Sequence, residues 1–176
     1  MEQPFELRLL RLHWLDTLPA EEDLCAHGYV AVRLGKRVLC DETDEWTVSA
    51  AALYLLRTLT ADHTPACPVG DQLLPCCGFT MWPDETSDDV LMMGCPNGVD
   101  WQVEHQDNQV QLTAPGDETV RVAFEEYRTQ VLRFVDQVEA FYQGSVPKQV
   151  PADAYDAQGY ERFWVEWHRR RNQWPR

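Results

Sequence analysis

Thiols and imidazoles are the side chains of this sequence whose grouping most directly raises a question of chemistry. Cys67, Cys76, Cys77 and Cys95 fall within one stretch, and His63 lies just before it. Four thiolates, or three thiolates and an imidazole, hold zinc in a tetrahedral site. The spacing argues against that use, because there is no C-x-x-C pair and adjacent Cys76 and Cys77 are poorly placed to ligate one ion. Buried structural thiols are therefore the expected reading, with Cys67, Cys76, Cys77, Cys95 and His63 as the alternative metal set. Nothing near Cys76-Cys77 supplies the positive charge that would make a reactive thiolate. A cysteine nucleophile would need His63 or His105 to activate Cys77 or Cys95, and no motif links them.

Other chemistries fare no better. Ser49, Ser87 and Ser145 are the only serines, and none sits in a G-x-S-x-G elbow. The carboxylates Asp84, Glu85, Asp88, Asp89, Asp100 and Glu104 offer acid pairs for glycosidic or metal chemistry. Among 29 acidic residues, however, clusters arise by abundance, and a solvated face is the expected role. There is no Walker loop, no G-x-G-x-x-G and no H-E-x-x-H. The sequence leans away from an enzyme, and no cofactor is expected.

The elements that must position these groups are read from periodicity. From Asp88 to Tyr142 the chain reads as three or four short strands followed by an amphipathic helix. Val99, Trp101 and Val103 alternate with Asp100, Gln102 and Glu104; Val110, Leu112 and Ala114 repeat the pattern, as do Val120, Val122 and Phe124. Turns at Cys95-Pro96-Asn97-Gly98, Asp107-Asn108 and Pro115-Gly116-Asp117 separate them, predicting a meander. Val90-Leu91-Met92-Met93 reads as a fourth strand, buried on both faces. Tyr127, Val131, Phe134, Val138 and Phe141 form one helical stripe that Gly144 can end, and the meander is the sheet it would cover.

Earlier in the chain, Phe5, Leu7 and Leu9 lie on one parity and Leu10, Leu12 and Trp14 on the other, so a bulge is expected near Leu9-Leu10. Pro19 can open a short helix. Tyr29 to Leu34 and Arg37 to Cys40 flank the two-residue turn Gly35-Lys36, predicting a hairpin. Trp46 to Leu59 reads as a largely buried helix, Thr60 to Gly78 as a long loop, and Phe79 to Trp82 as a short strand. Residues 145–152, with Pro147 and Pro151, are a connector to a terminal helix at about 156–173. The predicted fold class is α+β: an antiparallel sheet of N-terminal strand, hairpin and C-terminal meander, packed against about three helices in one domain spanning 1–176.

Composition bounds the function. No basic n-region opens the chain and no apolar run approaches the roughly 20 residues that span a bilayer, so a cytoplasmic protein with reduced thiols and no membrane partner is expected. The net charge of −14 opposes nucleic-acid binding and favours a basic protein partner. The charge is uneven, since residues 160–176 carry five Arg against two Glu. Tyr160, Phe163, Trp164 and Trp167 form the stripe of the terminal helix, and Trp174 lies beyond it as a candidate aromatic anchor.

The segments LPCCGFTMW (74–82), GCPNGVDW (94–101) and GYERFW (159–164) resemble a family of small bacterial proteins, a resemblance that brings no activity with it. In size, acidity and α+β build, the chain is also similar to the immunity proteins that neutralise bacterial toxins. That similarity implies a non-enzymatic inhibitor of a basic partner and brings no site residues with it. The binding residues expected here are read from the chain itself: Asp84, Glu85, Asp88 and Asp89 of the acidic loop, Asp100 and Glu104 on the wet face of the meander, and Trp174. The alternative is a small enzyme or a ligand- or metal-binding domain that uses the Cys67–Cys95 region.

Overall fold

A computed structural model describes residues 4–76 and 80–175 of the chain. The N-terminal strand β1 (Phe5–His13) pairs antiparallel with β2 (His27–Leu34), and β2 turns through Gly35-Lys36 into β3 (Arg37–Cys40). Gly35 takes a φ of +57°, the left-handed conformation that a two-residue hairpin turn demands. The short strand β4 (Glu45–Trp46) pairs further along the same edge of β2, opposite Gly28 and Tyr29. The register of β1 on β2 shifts between Leu9 and Arg11, where the change of hydrophobic parity predicts a bulge. Leu10 faces solvent rather than joining the inner face.

Helix α1 (Val48–Thr58) is buried around most of its circumference, as its Ala and Leu content requires. Trp46, expected in this helix, belongs to β4 instead. After a long loop, β5 (Thr80–Pro83) and β6 (Val90–Met93) form a separate two-stranded hairpin. The meander is β7 (Gln102–Gln106), β8 (Gln109–Thr113) and β9 (Thr119–Ala123), with the two predicted turns between its strands in place, where Asp107, Gly116 and Asp117 have positive φ. The turn expected at Cys95-Pro96-Asn97-Gly98 is not formed, and Val99 pairs with Leu74 instead of opening the meander. Helix α2 (Phe124–Gln143) follows directly. Helix α3 (Ala154–Arg171) ends the fold; Asp153 caps it by accepting the Tyr155 and Asp156 amides at 2.9 and 3.1 Å.

Three expectations need correction. Val90–Met93 is not a fourth meander strand and is not buried on both faces: it pairs with β5, and Leu91 and Met93 are 47% and 53% exposed. Four apolar residues in a row satisfy a one-sided strand as well as a two-sided one. The segment after Pro19 makes turns, with Glu22 N–H donating to Pro19 O, rather than a helix. Finally, α2 packs chiefly on β1 and α1 and only along a shorter length on β8 and β9. Phe5 meets Tyr127 with ring centroids 5.4 Å apart, and the Tyr127 and Thr58 hydroxyls are 2.7 Å apart. Gln130 is buried and acts as a surrogate strand on β1: its Oε1 accepts the Leu7 N–H at 2.9 Å and its Nε2 donates to Phe5 O at 3.0 Å.

The 145–152 connector runs back along the N-terminal unit. Gln149 N–H donates to Glu21 O, Lys148 donates to Ala20 O, and the Lys148 ammonium sits over the Trp14 ring. It brings α3 onto β5, β6 and α1. The strand expected at Phe79 to Trp82 is seen from Thr80 onward, and Phe79 lies outside the described residues. No described helix is long and apolar enough to cross a membrane.

Candidate functional site

The acidic loop joins β5 to β6. Its shape comes from Asp84, whose carboxylate accepts the Thr86 N–H and hydroxyl, both at 2.8 Å, and the Ser87 hydroxyl at 2.7 Å. These hydrogen bonds, the Thr86 amide foremost, hold the Asp84 carboxyl below its usual pKa. The Asp84 N–H donates to Asp89 O at 3.2 Å and closes the loop. Side-chain bonding back to the local backbone is the usual means by which Asp and Ser fix a turn.

Helix α3 grips this loop by charge. Arg162 donates to Ser87 O at 3.1 Å and approaches Asp88 at 3.3 Å, while Arg169 and Arg170 both bond Asp89. Burial would raise the Asp89 pKa, but the guanidinium groups of Arg170, Arg57 and Arg169 outweigh it and hold it low. Beneath lies Glu166, whose carboxylate accepts from Arg57 at 2.7 and 2.8 Å, from Arg170 at 2.6 Å and from the Val90 N–H at 2.8 Å. Arg57 spends its remaining reach on Val69 O and Val90 O. The network ties α1, β6 and α3 together, and Tyr54 adds a bond to Met92 O.

Not all the acids foreseen as a binding surface belong to one face. Asp84 and Glu85 stand at the tip without a cation within ion-pairing distance among the described residues, whereas Asp88 and Asp89 face α3. Asp100 is not simply solvated: it accepts the Leu73 N–H at 3.0 Å and meets His63 Nε2 at 2.9 Å. His63 Nδ1 accepts the Val69 N–H at 3.0 Å, so the ring proton belongs on Nε2, donated to Asp100. One ring nitrogen thus braces the 63–73 loop internally and the other ties it to Asp100, just before β7. Glu104 faces its cross-strand neighbour Gln111. Trp174 is half-buried against Phe124, with Arg128 over its ring at 5.2 Å.

The cysteine set divides similarly. Cys67 is exposed in a turn in which its N–H bonds Thr64 O. Cys76 Sγ and Cys95 Sγ approach to 2.7 Å, and Cys77 lies outside the described residues. Among the described residues, no three His, Cys, Asp or Glu side chains group as a metal site.

Two features escaped the sequence reading. Asp41, Glu42 and Asp44 make an exposed acidic turn, in which Asp41 holds the Thr43 N–H and hydroxyl. On α3, Ala157, Tyr160, Trp164, Val165 and His168 form an open groove with Val150 of the connector, of about 630 Å³. Val150 and Val165 are 60% and 51% exposed. Gln158 borders both this groove and the acidic tip, so the two lie on adjoining flanks of one helix. The visible signal was Val165 set among charged residues, off the Tyr160-Phe163-Trp167 stripe. No protein-family model, curated protein or solved structure matches the chain.

Proposed function

We propose that this chain is a non-enzymatic binding domain that captures a basic protein partner, in the manner of a toxin-immunity inhibitor. The observation that carries the reading is the adjacency, across α3, of a preorganised acidic tip and an exposed apolar groove. An interface of stable affinity combines an apolar centre with a polar, charged rim. Here Val150, Trp164 and Val165 supply the first, and Asp84, Glu85 and Glu161 the second. The tip is already fixed by its own hydrogen bonds and by α3, so little ordering cost accompanies docking. The net charge of −14 adds long-range attraction for a basic surface and repels nucleic acid.

The test is affinity capture from the native host at low salt, with elution by rising salt, followed by association kinetics with the captured protein. Asp84→Asn with Glu85→Gln is expected to slow association several-fold and to flatten its salt dependence, leaving dissociation nearly unchanged. Val165→Asp is expected to speed dissociation. The same double substitution in the 41–44 turn, Asp41→Asn with Glu42→Gln, separates the two acidic surfaces. Unchanged association on altering the tip, with a loss on altering the turn, would move the site to the turn.

A further inference from the structure

The β5–β6 hairpin is the outer part of a longer antiparallel pairing. Leu74 and Val99 exchange both backbone hydrogen bonds, at 3.0 and 2.9 Å. Six residues further along each segment, Thr80 pairs with Met93, and the register continues to Pro83 and Val90. The two paired lengths therefore share one register. Cys76 and Cys95 lie on opposite segments between these two lengths, and their sulfur atoms are 2.7 Å apart. That is within an ångström of the bond length of about 2.05 Å in a disulfide.

We propose that Cys76 and Cys95 form a reversible disulfide that closes the base of the β5–β6 hairpin. The position is suited to such a bond because both ends are already fixed: the Leu74–Val99 pair and the Gly98 N–H to Gln72 Oε1 bond on one side, β5–β6 on the other. Both cysteines are partly buried, and their surroundings differ. Cys95 is flanked by exposed Gly94 and Pro96, whereas Cys76 follows buried Leu74 and Pro75. Cys95 is thus the thiol that meets an external oxidant, and Cys76 the one that resolves the product.

With glutathione disulfide as oxidant the steps balance. The Cys95 thiolate attacks one glutathione sulfur, forming a mixed disulfide and expelling a glutathione thiolate, which takes up the proton that Cys95 lost. The Cys76 thiolate then attacks Cys95 Sγ, forming the Sγ–Sγ bond, and the second glutathione leaves with the remaining proton. Two protein thiols are oxidised and one glutathione disulfide is reduced to two thiols; excess reduced glutathione reverses both steps. The bond closes the loop that carries the acidic tip, so the hairpin is held by α3 at its tip and by the disulfide at its base. This inference is independent of the binding reading, since it requires no partner.

The experiment equilibrates the full chain in glutathione buffers of graded oxidised-to-reduced ratio, quenches with acid, alkylates, digests and maps disulfides by mass spectrometry. The expected result is a cross-link between the peptides holding Cys76 and Cys95, present also in Cys77→Ser and reversed by reduced glutathione. Cys76→Ser should accumulate the glutathione adduct on Cys95. A wild-type cross-link through Cys77 or Cys67 in place of Cys76, or glutathione adducts with no cross-link at any ratio, would overturn it. The wild-type measurement decides alone if a variant fails to fold.

Discussion

Glu166 has no exposed surface and receives the Arg57 guanidinium through two hydrogen bonds of 2.7 and 2.8 Å, joining helices α1 and α3 across 109 residues of sequence. A bidentate pair of this kind is the strongest form of side-chain hydrogen bonding. Both partners are otherwise saturated, Glu166 by Arg170 and the Val90 amide, Arg57 by two carbonyls. Removing Glu166 would strand the largely buried Arg57 charge and leave the Val90 N–H without its acceptor. Glu166→Ala is therefore expected to cost about 3–5 kcal/mol, the range for breaking a buried pair by deleting one partner. Urea unfolding with an unchanged slope against denaturant measures it.

Gly159 lies where α3 comes up directly against the β5 backbone. A Cβ built there would fall 1.9 Å from Met81 O and 2.9 Å from Trp82 Cα, both backbone atoms that cannot rotate away. In an isolated helix, Gly→Ala would gain about 1 kcal/mol. Here the sign reverses: Gly159→Ala must push α3 off the hairpin and is expected to destabilise by about 1–3 kcal/mol or more, as overpacking does. Thermal unfolding of Gly159→Ala beside Gly144→Ala checks the assignment. A Cβ on Gly144 meets nothing nearer than Ala140 O at 3.4 Å, so that variant should be far milder.

These two contacts also mark where the sequence stopped being legible. The Gly35-Lys36 turn, the bulge after Leu9, the α2 stripe from Tyr127 to Val138 and the meander turns were all readable, because each is written within a few neighbouring residues. The division of the strands among three sheets was not. Leu91 and Met93 look like core until β6 is known to pair only with β5. The candidate site was half legible: the acids of the tip were evident, but Arg162, Arg169 and Arg170 lie more than 70 residues away, and the last-turn placement of Arg169 and Arg170 has a local explanation in the helix dipole. Glu166 alone gave a hint, since it is an acid three residues after Phe163 on the buried side of α3.

Thiol reactivity should fall into separated classes. Burial, reinforced by Asp23, pushes the Cys25 thiol up to about 12, and burial does the same to Cys40, whose Sγ also contacts Val30 O at 3.2 Å. At pH 8 a thiol of pKa 12 is thiolate in only about one molecule in ten thousand, and the thiolate is the reactive form. Cys67 is exposed. A maleimide or aromatic disulfide reagent at pH 8 should modify Cys67 within the fast phase and leave Cys25 and Cys40 unmodified until the protein is unfolded. Mass mapping of the labelled peptides reads this directly, and labelling of Cys40 in the native state would contradict its placement.

The ion pairs at the hairpin also set an acid limit on stability. Asp89 is held below its usual pKa because three guanidinium groups outweigh the effect of burial. Asp62 is lowered first by the His105 amide and then by the His105 ring. For a carboxylate whose folded pKa lies below its unfolded value of about 3.9, the stabilisation is fully present above that value and is lost as pH falls through the folded pKa. Stability should therefore hold level from neutrality down to about pH 5 and decline steeply below about pH 4. Asp89→Asn cannot take up a proton, so it should be less stable at neutral pH and lose less on acidification, the two curves converging as pH falls through the folded pKa of Asp89. Denaturant titrations of both proteins at several pH values give the difference, and parallel curves would show that Asp89 does not carry the acid-sensitive contact with α3.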